Sequence, residues 1–301
     1  MDEVLIFANP TAGKGKSRIF AERIAERLNR SGMGVRVFFE SAEGMGSETL
    51  ETLADAKAMV VIGGDGTLRG VVGRAMRECG GTSVPPVVVV PMGTANLMAQ
   101  HLGLKWNEEA IGEEVAEVIR AGKVVELNAA AANGKLFLLM AGVGIDAGIV
   151  HQLEKMRRGP ISMASYALPA ALALAGYRYP AIQAEVDGKV VFRERAGIAM
   201  VGNVKEYGTG FEILPLARAD DGLLDICVMP CGSPQELAEL FLRAAVGEHL
   251  QMEGVVYVKG RRVRITAAES VPVQVDGDAA GFTPLEVEML ERRVRFLVSA
   301  K

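Results

Sequence analysis

Residues 4–17 read VLIFANPTAGKGKS, and this stretch decides how the first part of the chain folds. Residues 4–8 are an uninterrupted apolar run, which is typical of a parallel strand buried on both faces. Asn9 and Pro10 end this strand, and a glycine-bearing loop follows. Beyond the loop, apolar residues recur at helical spacing, and Gly32 then fits the residue just after a helix end. The stretch therefore predicts one β-loop-α unit.

The same unit recurs twice. Residues 58–67 read AMVVIGGDGT and residues 87–96 read VVVVPMGTAN, and each passes from a strand-like run through a glycine-bearing loop into helical spacing. A further strand is expected over residues 35–39. Repeated units of this kind are typical of an open parallel sheet with helices on both faces. We therefore predict an N-terminal open, mostly parallel α/β domain over residues 1–125.

The pattern changes after about residue 125. Short strand-like runs now follow one another, and Asp187-Gly188 is a two-residue hairpin signal. Helical spacing interrupts them over residues 146–176 and 234–250. This texture predicts a C-terminal antiparallel β-sandwich domain over residues 126–292. The expected strands are 136–140, 182–186, 189–192, 198–201, 224–229, 255–258, 263–266, 271–275 and 285–289.

Composition narrows the class of protein. The chain has 301 residues, half of them hydrophobic, which is enough for two domains. The formal net charge of −4 argues against nucleic-acid binding, which normally needs a basic domain. Cys79, Cys227 and Cys231 match no common zinc spacing, so we expect buried free thiols. Because the N-terminus lacks a basic segment and a cleavage site, the expected compartment is the cytoplasm.

The three glycine-bearing loops follow predicted parallel strands. In an open parallel sheet, ligands bind beyond the carboxyl ends of the strands. Glycine lets the backbone approach a polyphosphate, and the following helix directs free N–H groups at the anion. Lys14 and Lys16 add positive charge to the first loop. That loop is not a standard P-loop, because Pro10 stands at the opening glycine and has no N–H. Tight turns without a ligand are the alternative explanation.

Further motifs follow these loops along the chain. Residues 142–147 read GVGIDA, residues 221–225 read DGLLD, and Asp276-Gly277-Asp278 lies near the C-terminus. Together with the three loops, these ordered segments resemble the diacylglycerol kinase catalytic-domain superfamily, and most of all its soluble bacterial lipid kinases. The third loop and the late Asp-Gly-Asp distinguish this family from NAD kinases and phosphofructokinases, which share GGDGT. The matches extend over nearly the whole chain.

The resemblance implies an ATP-dependent lipid kinase with its active site in the cleft between an ATP-binding domain and a β-rich domain. It also implies that residues 293–301 return to the first domain. ATP would bind along the three loops, with Ser41 as the candidate for a hydroxyl after the second strand. The implied ATP-binding residues are Asn9, Pro10, Thr11, Ala12, Gly13, Lys14, Ser41, Gly63, Gly64, Asp65, Gly66, Thr67, Leu68, Arg69, Gly93, Thr94 and Asn96.

Mg²⁺ is the second implied cofactor, since phosphoryl transfer needs charge neutralisation. The resemblance also matches a structural Mg²⁺ position to Asp221 and the backbone carbonyls of Arg218 and Leu223. These three residues are the implied metal ligands.

Asp276 and Asp278 are the candidate catalytic acids for removing the hydroxyl proton. In the family, the residue matching Asp278 accepts the proton and the residue matching Asp276 lies close by. A surface Asp-Gly turn is the alternative explanation. The chain departs from the family pattern at three positions: Asp278 replaces a Glu, Leu97 stands where many members have an acid, and Glu126 stands near a common Asp. These departures are compatible with altered geometry, a different acceptor or weak activity.

The sequence leaves several alternatives for the phosphoryl acceptor and for the partners. A lipid alcohol of the diacylglycerol type is the expected acceptor, and a homodimer stays open. Lys155, Arg157 and Arg158 adjoin the apolar run 160–176, which suits contact with the inner membrane surface. The run is slightly short for a span, and a core helix is the alternative. Two other functions also stay open: a kinase for NAD or a sugar, and a regulatory nucleotide- or lipid-binding protein that has lost catalysis.

Overall fold

The computed structural model describes residues 3–39, 53–79, 84–156, 167–208 and 211–299. The chain divides into two compact units. Unit 1 consists of Met1–Leu127 with Arg293–Lys301, and unit 2 consists of Asn128–Arg292.

Unit 1 alternates strands and helices in the order that the apolar runs predict. Its elements up to residue 127 are β1 (Glu3–Ala8), α1 (Lys16–Arg30), β2 (Gly34–Phe38), β3 (Ala58–Gly63), α2 (Asp65–Glu78), β4 (Val87–Pro91), α3 (Leu97–His101), α4 (Ile111–Ala121) and β5 (Val124–Leu127). Helix α1 ends as expected, because Gly32 adopts φ +80° just beyond it, where residues with a side chain are strained.

Unit 2 is rich in strands. Its elements are β6 (Ala130–Ala132), β7 (Lys135–Phe137), β8 (Met140–Val143), α5 (Ile145–Met156), α6 (Ala167–Gly176), β9 (Ala181–Val186), β10 (Lys189–Gly202), β11 (Glu206–Tyr207), β12 (Phe211–Glu212), β13 (Leu224–Pro230), α7 (Pro234–Ala245), β14 (Val256–Gly260), β15 (Arg262–Ala267), β16 (Pro272–Val275), β17 (Asp278–Phe282) and β18 (Leu285–Met289). The last strand, β19 (Val294–Leu297), belongs to unit 1.

Within the described residues, the sheet of unit 1 has the order β2-β1-β3-β4-β19-β5. The pairs β1–β2, β1–β3, β3–β4 and β4–β19 are parallel. The described pair β19–β5 is antiparallel. Helices α1 and α4 cover one face, where Ile24 and Val115 pack against Ile6 and Val60. Leu5, on the opposite face, is also fully buried. Burial on both faces explains the uninterrupted apolar runs.

Unit 2 is built from antiparallel pairs around the long strand β10. The first half of β10 pairs with β9, and its second half pairs with β8 and β13. The strand thereby connects the series β17-β16-β8-β10 to the series β10-β9-β15-β18-β6-β7. Side chains from both series share one core, which includes Val201, Ile226, Val273, Ile265 and Val287. The predicted fold class, an α/β domain followed by an antiparallel β domain, is confirmed.

Two predicted strand boundaries are wrong for physical reasons. The expected strand 136–140 is divided into β7 and β8, because the N–H groups of residues 138–140 bind the Asp276 carboxylate instead of a neighbouring strand. The separate strands expected at 189–192 and 198–201 form one strand, because irregularities between Val190 and Arg195 carry β10 across the polar stretch.

Candidate active site

The three glycine-bearing loops lie side by side at one edge of the unit 1 sheet. Strand β3 pairs in parallel with both β1 and β4, so the carboxyl ends of all three strands meet at the same edge. The loops that follow them are residues 9–15, 63–67 and 92–96, called loops 1, 2 and 3 below. Sequence spacing alone predicts a shared edge, and the contacts described next show that the loops also touch.

Loop 1 is fastened to both other loops. Asn9 Nδ2 donates to Thr67 Oγ1 at 3.2 Å, which joins loop 1 to loop 2. Asn9 Oδ1 accepts the backbone N–H and the hydroxyl of Thr11 at 3.0 and 2.8 Å, which turns the chain after β1. Gly13 adopts φ +59°, and a Cβ there would lie 2.9 Å from Met92 Cε of loop 3. Asn9 therefore holds loop 1 against loop 2, and Gly13 lets loop 1 approach loop 3.

Loops 2 and 3 pack backbone against backbone. A Cβ at Gly93 would lie 2.7 Å from the Cα of Gly64. The Asp65 carboxylate accepts the N–H groups of Leu97 and Met98 at 2.9 and 3.1 Å, so it caps α3 from loop 2. Burial raises the pKa of Asp65, although the N–H groups of Met98 and Leu97 oppose the rise. Asp65 thus joins two loops, a role that its position between glycines did not reveal.

The joined loops present backbone N–H groups that suit an anion. The first helical bond of α2 runs from the N–H of Leu68 to the carbonyl of Gly64. The N–H groups of the preceding residues, including exposed Gly66, therefore belong to the open end of the helix. Arg69 is half-buried and Thr94 is exposed. The ammonium of Lys16 pairs with Glu108 at 2.9 Å, so its charge is shared with that carboxylate.

Two of the predicted ATP-site side chains, those of Ser41 and Lys14, lie outside the part of the chain that the structure describes. The remaining predicted residues lie in or next to the three joined loops, with Pro10, Ala12 and Gly63 in loops 1 and 2 and Asn96 in loop 3. Asn96 closes loop 3, since its side chain bonds both the N–H and the carbonyl of Gly93 at 2.7 and 2.9 Å.

In unit 2, Asp276 lies within a tight hairpin turn and Asp278 directly follows that turn. Asp276 and Gly277 have φ of +51° and +83°, and Val275 pairs with Asp278 across the turn between β16 and β17. The Asp276 carboxylate accepts three backbone N–H groups, from residues 138, 139 and 140, at 2.9–3.0 Å. Asp278 begins β17 and is exposed. The pair therefore does not share one strand face, and the two carboxylates have different surroundings.

Asp146, at the start of α5, is a third acid that the sequence placed only within the GVGIDA motif. Its Oδ1 atom is buried and has no hydrogen-bond partner among the described residues. Its Oδ2 atom accepts Gln274 Nε2 and the Tyr207 hydroxyl, both at 3.3 Å. Burial raises the pKa of Asp146 to about 6, despite the opposing effects of Ala147 N–H, Gln274 and Tyr207. The glycine at position 142 leaves room for this carboxylate, since a Cβ there would lie 2.0 Å from Oδ2.

The implied metal ligands lie together in the turn before β13. The carbonyl oxygens of Arg218 and Leu223 both lie 3.4 Å from Asn128 Nδ2. The Asp221 carboxylate accepts the N–H of Leu223 at 3.0 Å and the ammonium of Lys259 at 2.8 Å. Asn128 and Lys259 therefore contact this turn from other parts of the chain, although no local pattern in the sequence indicates them.

Comparison with known families covers both units. Residues 3–132 match the diacylglycerol kinase catalytic domain. Residues 140–298, more than half of the chain, match the YegS C-terminal NAD kinase beta sandwich-like domain. The chain belongs to the diacylglycerol kinase catalytic-domain superfamily. The predicted family is therefore confirmed, and so is the predicted enzyme class, a kinase of the diacylglycerol kinase type.

Relatives that match this superfamily member over nearly its whole length have low sequence identity to it. It is 28% identical over 303 residues to a diacylglycerol kinase of Mycobacterium tuberculosis, covering 98% of this chain and 94% of the relative. It is 24% identical over 302 residues to a diacylglycerol kinase of Bacillus subtilis, covering 99% and 97%. A Bacillus anthracis diacylglycerol kinase structure has the same fold, with a TM-score of 0.71, 22% identity and coverage of 99% and 97%.

The structure describes all three residues at which this diacylglycerol kinase-type chain departs from the expected family pattern. Leu97 is the first residue of α3 and supplies only its N–H to Asp65. Glu126 is exposed on β5, where it pairs with Arg295 in the strand register. Asp278 remains at the exposed start of β17. Against the expected pattern, position 278 thus has a shorter acid, position 97 has none and position 126 has a longer one, whereas the three glycine-bearing loops are present.

The buried Asp146 carboxylate predicts a pH-dependent stability. A pKa of about 6 in the folded state lies above the ordinary value of 3.8, so the folded protein binds the extra proton between these pH values. The contribution of Asp146 to stability is therefore most favourable in acid and falls by about 3 kcal/mol as pH rises through 6. We expect Asp146→Asn to match the parent protein near pH 4 and to be more stable near pH 7, measured as the free energy of unfolding in urea.

The matched control is Asp55→Asn, an exposed carboxylate at the amino end of β3. It should change the free energy of unfolding equally at both pH values. If Asp146→Asn also changes the free energy of unfolding equally at both pH values, the Asp146 carboxylate does not destabilise the folded protein at neutral pH.

Proposed function

We propose that this protein transfers the terminal phosphoryl group of ATP to the hydroxyl of a diacylglycerol-like lipid alcohol, in a Mg²⁺-dependent reaction. The observation that carries the proposal is the joining of three glycine-bearing loops at one sheet edge, through Asn9 to Thr67 and through Gly64 to Gly93. Phosphoryl transfer depends mainly on positioning and on stabilising charge, and backbone N–H groups can do both. The names of the relatives make a lipid the favoured acceptor.

The loops would hold the triphosphate, while Mg²⁺ when bound would neutralise charge on the transferred group. Phosphate oxygens would supply most of the ligands of this ion, as is usual for nucleotide-bound magnesium. The described part of the chain contains no cluster of three or more His, Cys, Asp or Glu side chains suited to a metal. The protein's own contribution is then the N–H groups of loops 1 to 3.

Asp278 is the proposed proton acceptor and Asp276 the proposed positioning residue. Three backbone N–H groups already bind the two carboxylate oxygens of Asp276, so this side chain holds the turn. The same bonds tie the β16–β17 turn to residues 138–140, so Asp276 orients the strand on which Asp278 lies. Asp278 is exposed and can reach a hydroxyl that approaches from outside unit 2.

A cavity within unit 2 suits part of a lipid acceptor. It has a volume of about 260 Å³ and lies among α5, α6 and the β16–β17 region. Its lining combines apolar Leu172 and Phe282 with the basic side chains of Lys155 and Arg178. Apolar walls beside cations match a molecule that is apolar at one end and lies near anionic headgroups.

Helix α6 is the proposed membrane contact. Its exposed leucines, Leu168, Leu172 and Leu174, have exposed fractions of 55%, 47% and 43%. Three large apolar side chains on one short helix are costly in water, and insertion among lipid headgroups removes that cost. No described helix has the length and apolar character needed to cross a membrane. We therefore propose peripheral contact through the side of α6.

Replacing the three α6 leucines by serine is expected to lower binding to anionic phospholipid vesicles at least about tenfold. Each buried leucine contributes about 1.5–3 kcal/mol when it leaves water completely, and partial insertion of three leucines exceeds the 1.4 kcal/mol of a tenfold effect. Co-sedimentation with the vesicles measures the change. The control is the double variant Phe241→Ser and Leu242→Ser, which removes exposed apolar side chains from α7. Loss of binding in the α7 variant alone would place the contact there.

The experiment that tests the function is transfer of labelled phosphate from ATP to a panel of acceptors in mixed micelles with Mg²⁺. The panel contains diacylglycerol, monoacylglycerol, a sphingoid base, phosphatidylglycerol, a polyprenol, and NAD as a non-lipid acceptor. Labelled lipid is the expected product. Labelled NAD alone would replace the lipid by a nucleotide acceptor. ATP binding without any labelled product would favour the regulatory alternative.

A further inference from the structure

The turn before β13 contains a cluster of oxygen atoms that a cation should hold together. Asp221 and Asp225 bring two carboxylates to it, and Asp225 is completely buried. The carbonyl oxygens of Leu216, Arg218 and Leu223 lie in the same turn. Buried carboxylates are stable only when they are paired with a cation or bind hydrogen-bond donors. The family resemblance implies a structural Mg²⁺ that would supply that charge.

The exposed residue Lys259 directs its ammonium at this cluster. It donates to Asp221 Oδ2 at 2.8 Å and to the Leu216 carbonyl at 3.3 Å, and it lies 3.2 Å from Asp225 Oδ2. Two of these contacts are hydrogen bonds, and the contact with buried Asp225 Oδ2 is an ion pair. Strand register places the side chain, because Lys259 of β14 pairs directly with Asp225 of β13. Tyr257 completes the pairing by donating its hydroxyl to Asp225 Oδ1 at 2.7 Å.

The side chain of Asn128 meets the two backbone carbonyls. Its Oδ1 accepts the N–H of Gly222 at 3.1 Å, which sets the orientation of the amide. Its Nδ2 therefore faces the carbonyl oxygens of Arg218 and Leu223, at 3.4 Å from each. The positive edge of an amide at this place repels a metal ion.

The residues present do not fit an added divalent ion. Mg²⁺ requires oxygen ligands at about 2.0–2.1 Å in a nearly octahedral shell. Here the Asp221 carboxylate is bound by an ammonium and by the N–H of Leu223, and the two carbonyls face Asn128 Nδ2. A metal could enter only if Lys259 left a buried carboxylate and Asn128 turned away.

We propose that Lys259, with Asn128, is a built-in replacement for the structural magnesium ion of this turn. The ammonium supplies the positive charge and the amide supplies the donors to the carbonyls, so unit 2 keeps its structure without a divalent cation. This role is separate from the Mg²⁺ that accompanies ATP in the proposed reaction. The inference therefore does not depend on the proposed function.

The test is thermal unfolding of the nucleotide-free full chain in EDTA and in excess MgCl₂. The parent protein should have the same Tm in both solutions and should carry no bound magnesium after dialysis, measured by mass spectrometry. Lys259→Met removes the charge and retains much of the apolar stem. In EDTA its Tm should fall by roughly 5–10 °C, since it leaves a buried carboxylate unpaired. Excess Mg²⁺ should restore part of that loss in the variant.

Two further variants separate the explanations. Lys135→Met removes an exposed lysine of the same unit and should leave Tm unchanged in both solutions. The double variant Lys259→Met and Asp221→Asn should lose the response to Mg²⁺, because a main ligand of the restored site is gone. If Lys259→Met does not fold, the Tm and magnesium content of the parent protein decide alone.

Either of two results would overturn the proposal. One is a parent protein whose Tm rises in MgCl₂ relative to EDTA, or which retains magnesium after dialysis, since the turn would then bind the ion despite Lys259. The other is a Lys259→Met variant whose Tm is unchanged in EDTA, since the ammonium would then not support the turn. All of these readouts are independent of ATP and lipid, so they leave the kinase proposal untouched.

Discussion

Asp278→Asn should lower kcat for phosphoryl transfer by about two to four orders of magnitude, the usual effect of removing a general base. The amide keeps the size of the side chain but cannot accept the hydroxyl proton. The KM for ATP should change little, because the loops proposed to bind ATP belong to unit 1 and Asp278 belongs to unit 2. Steady-state transfer of labelled phosphate to the preferred lipid measures both constants.

Asp276→Asn separates the two acids. The Asp276 carboxylate binds three backbone N–H groups, so this variant should lower Tm as well as kcat, and should lower Tm more than Asp278→Asn does. Asp278→Glu restores the residue that is usual in the family and extends the side chain by roughly 1.5 Å. It should retain activity or increase it, because a displacement of about 1 Å can cost a hundredfold in rate.

The control for both is Asp55→Asn at the amino end of β3, away from the loops. A parent-like kcat in Asp278→Asn would remove Asp278 from the mechanism. If activity were lost in Asp276→Asn without a change in Tm, Asp276 would be the better candidate for the base.

Gly93→Ala should raise the Kd for ATP at least about tenfold and lower Tm by several degrees. The added Cβ would lie 2.7 Å from the Cα of Gly64 and 2.9 Å from Asn96 Oδ1, so loops 2 and 3 must separate. Overpacking of this kind costs about 1–3 kcal/mol in stability. It also moves the backbone N–H groups that are proposed to bind the triphosphate. Calorimetric titration with ATP measures the affinity, and thermal unfolding measures Tm.

Gly34→Ala is the matched control in the same unit. Its Cβ would meet only ordinary contacts, the nearest at 3.9 Å from Glu3, at the amino end of β2. Neither the affinity for ATP nor Tm should change appreciably. A Gly93→Ala variant with a lower Tm but an unchanged Kd would show that the packing of loops 2 and 3 serves stability and not nucleotide binding.

Features that depend on neighbours along the chain could be predicted from the sequence. The apolar run 4–8 predicted a buried strand, and Gly32 marked the end of α1. Asp187-Gly188 predicted a hairpin, and both residues adopt the positive φ that such turns require. The ordered motifs also indicated the family. These features are local because side-chain periodicity and turn conformations are set within a few residues.

Tertiary structure decided which side chains those features bring together. Asp65 caps α3 from 32 residues away, and Asp276 holds a turn 138 residues away. Lys259 meets Asp221 only because β13 and β14 pair in one register. No spacing rule connects such positions, since their meeting depends on how whole strands pair. Whether a carboxylate binds a metal, caps a helix or accepts a proton depends on the donors and burial around it, and these exist only in the folded chain.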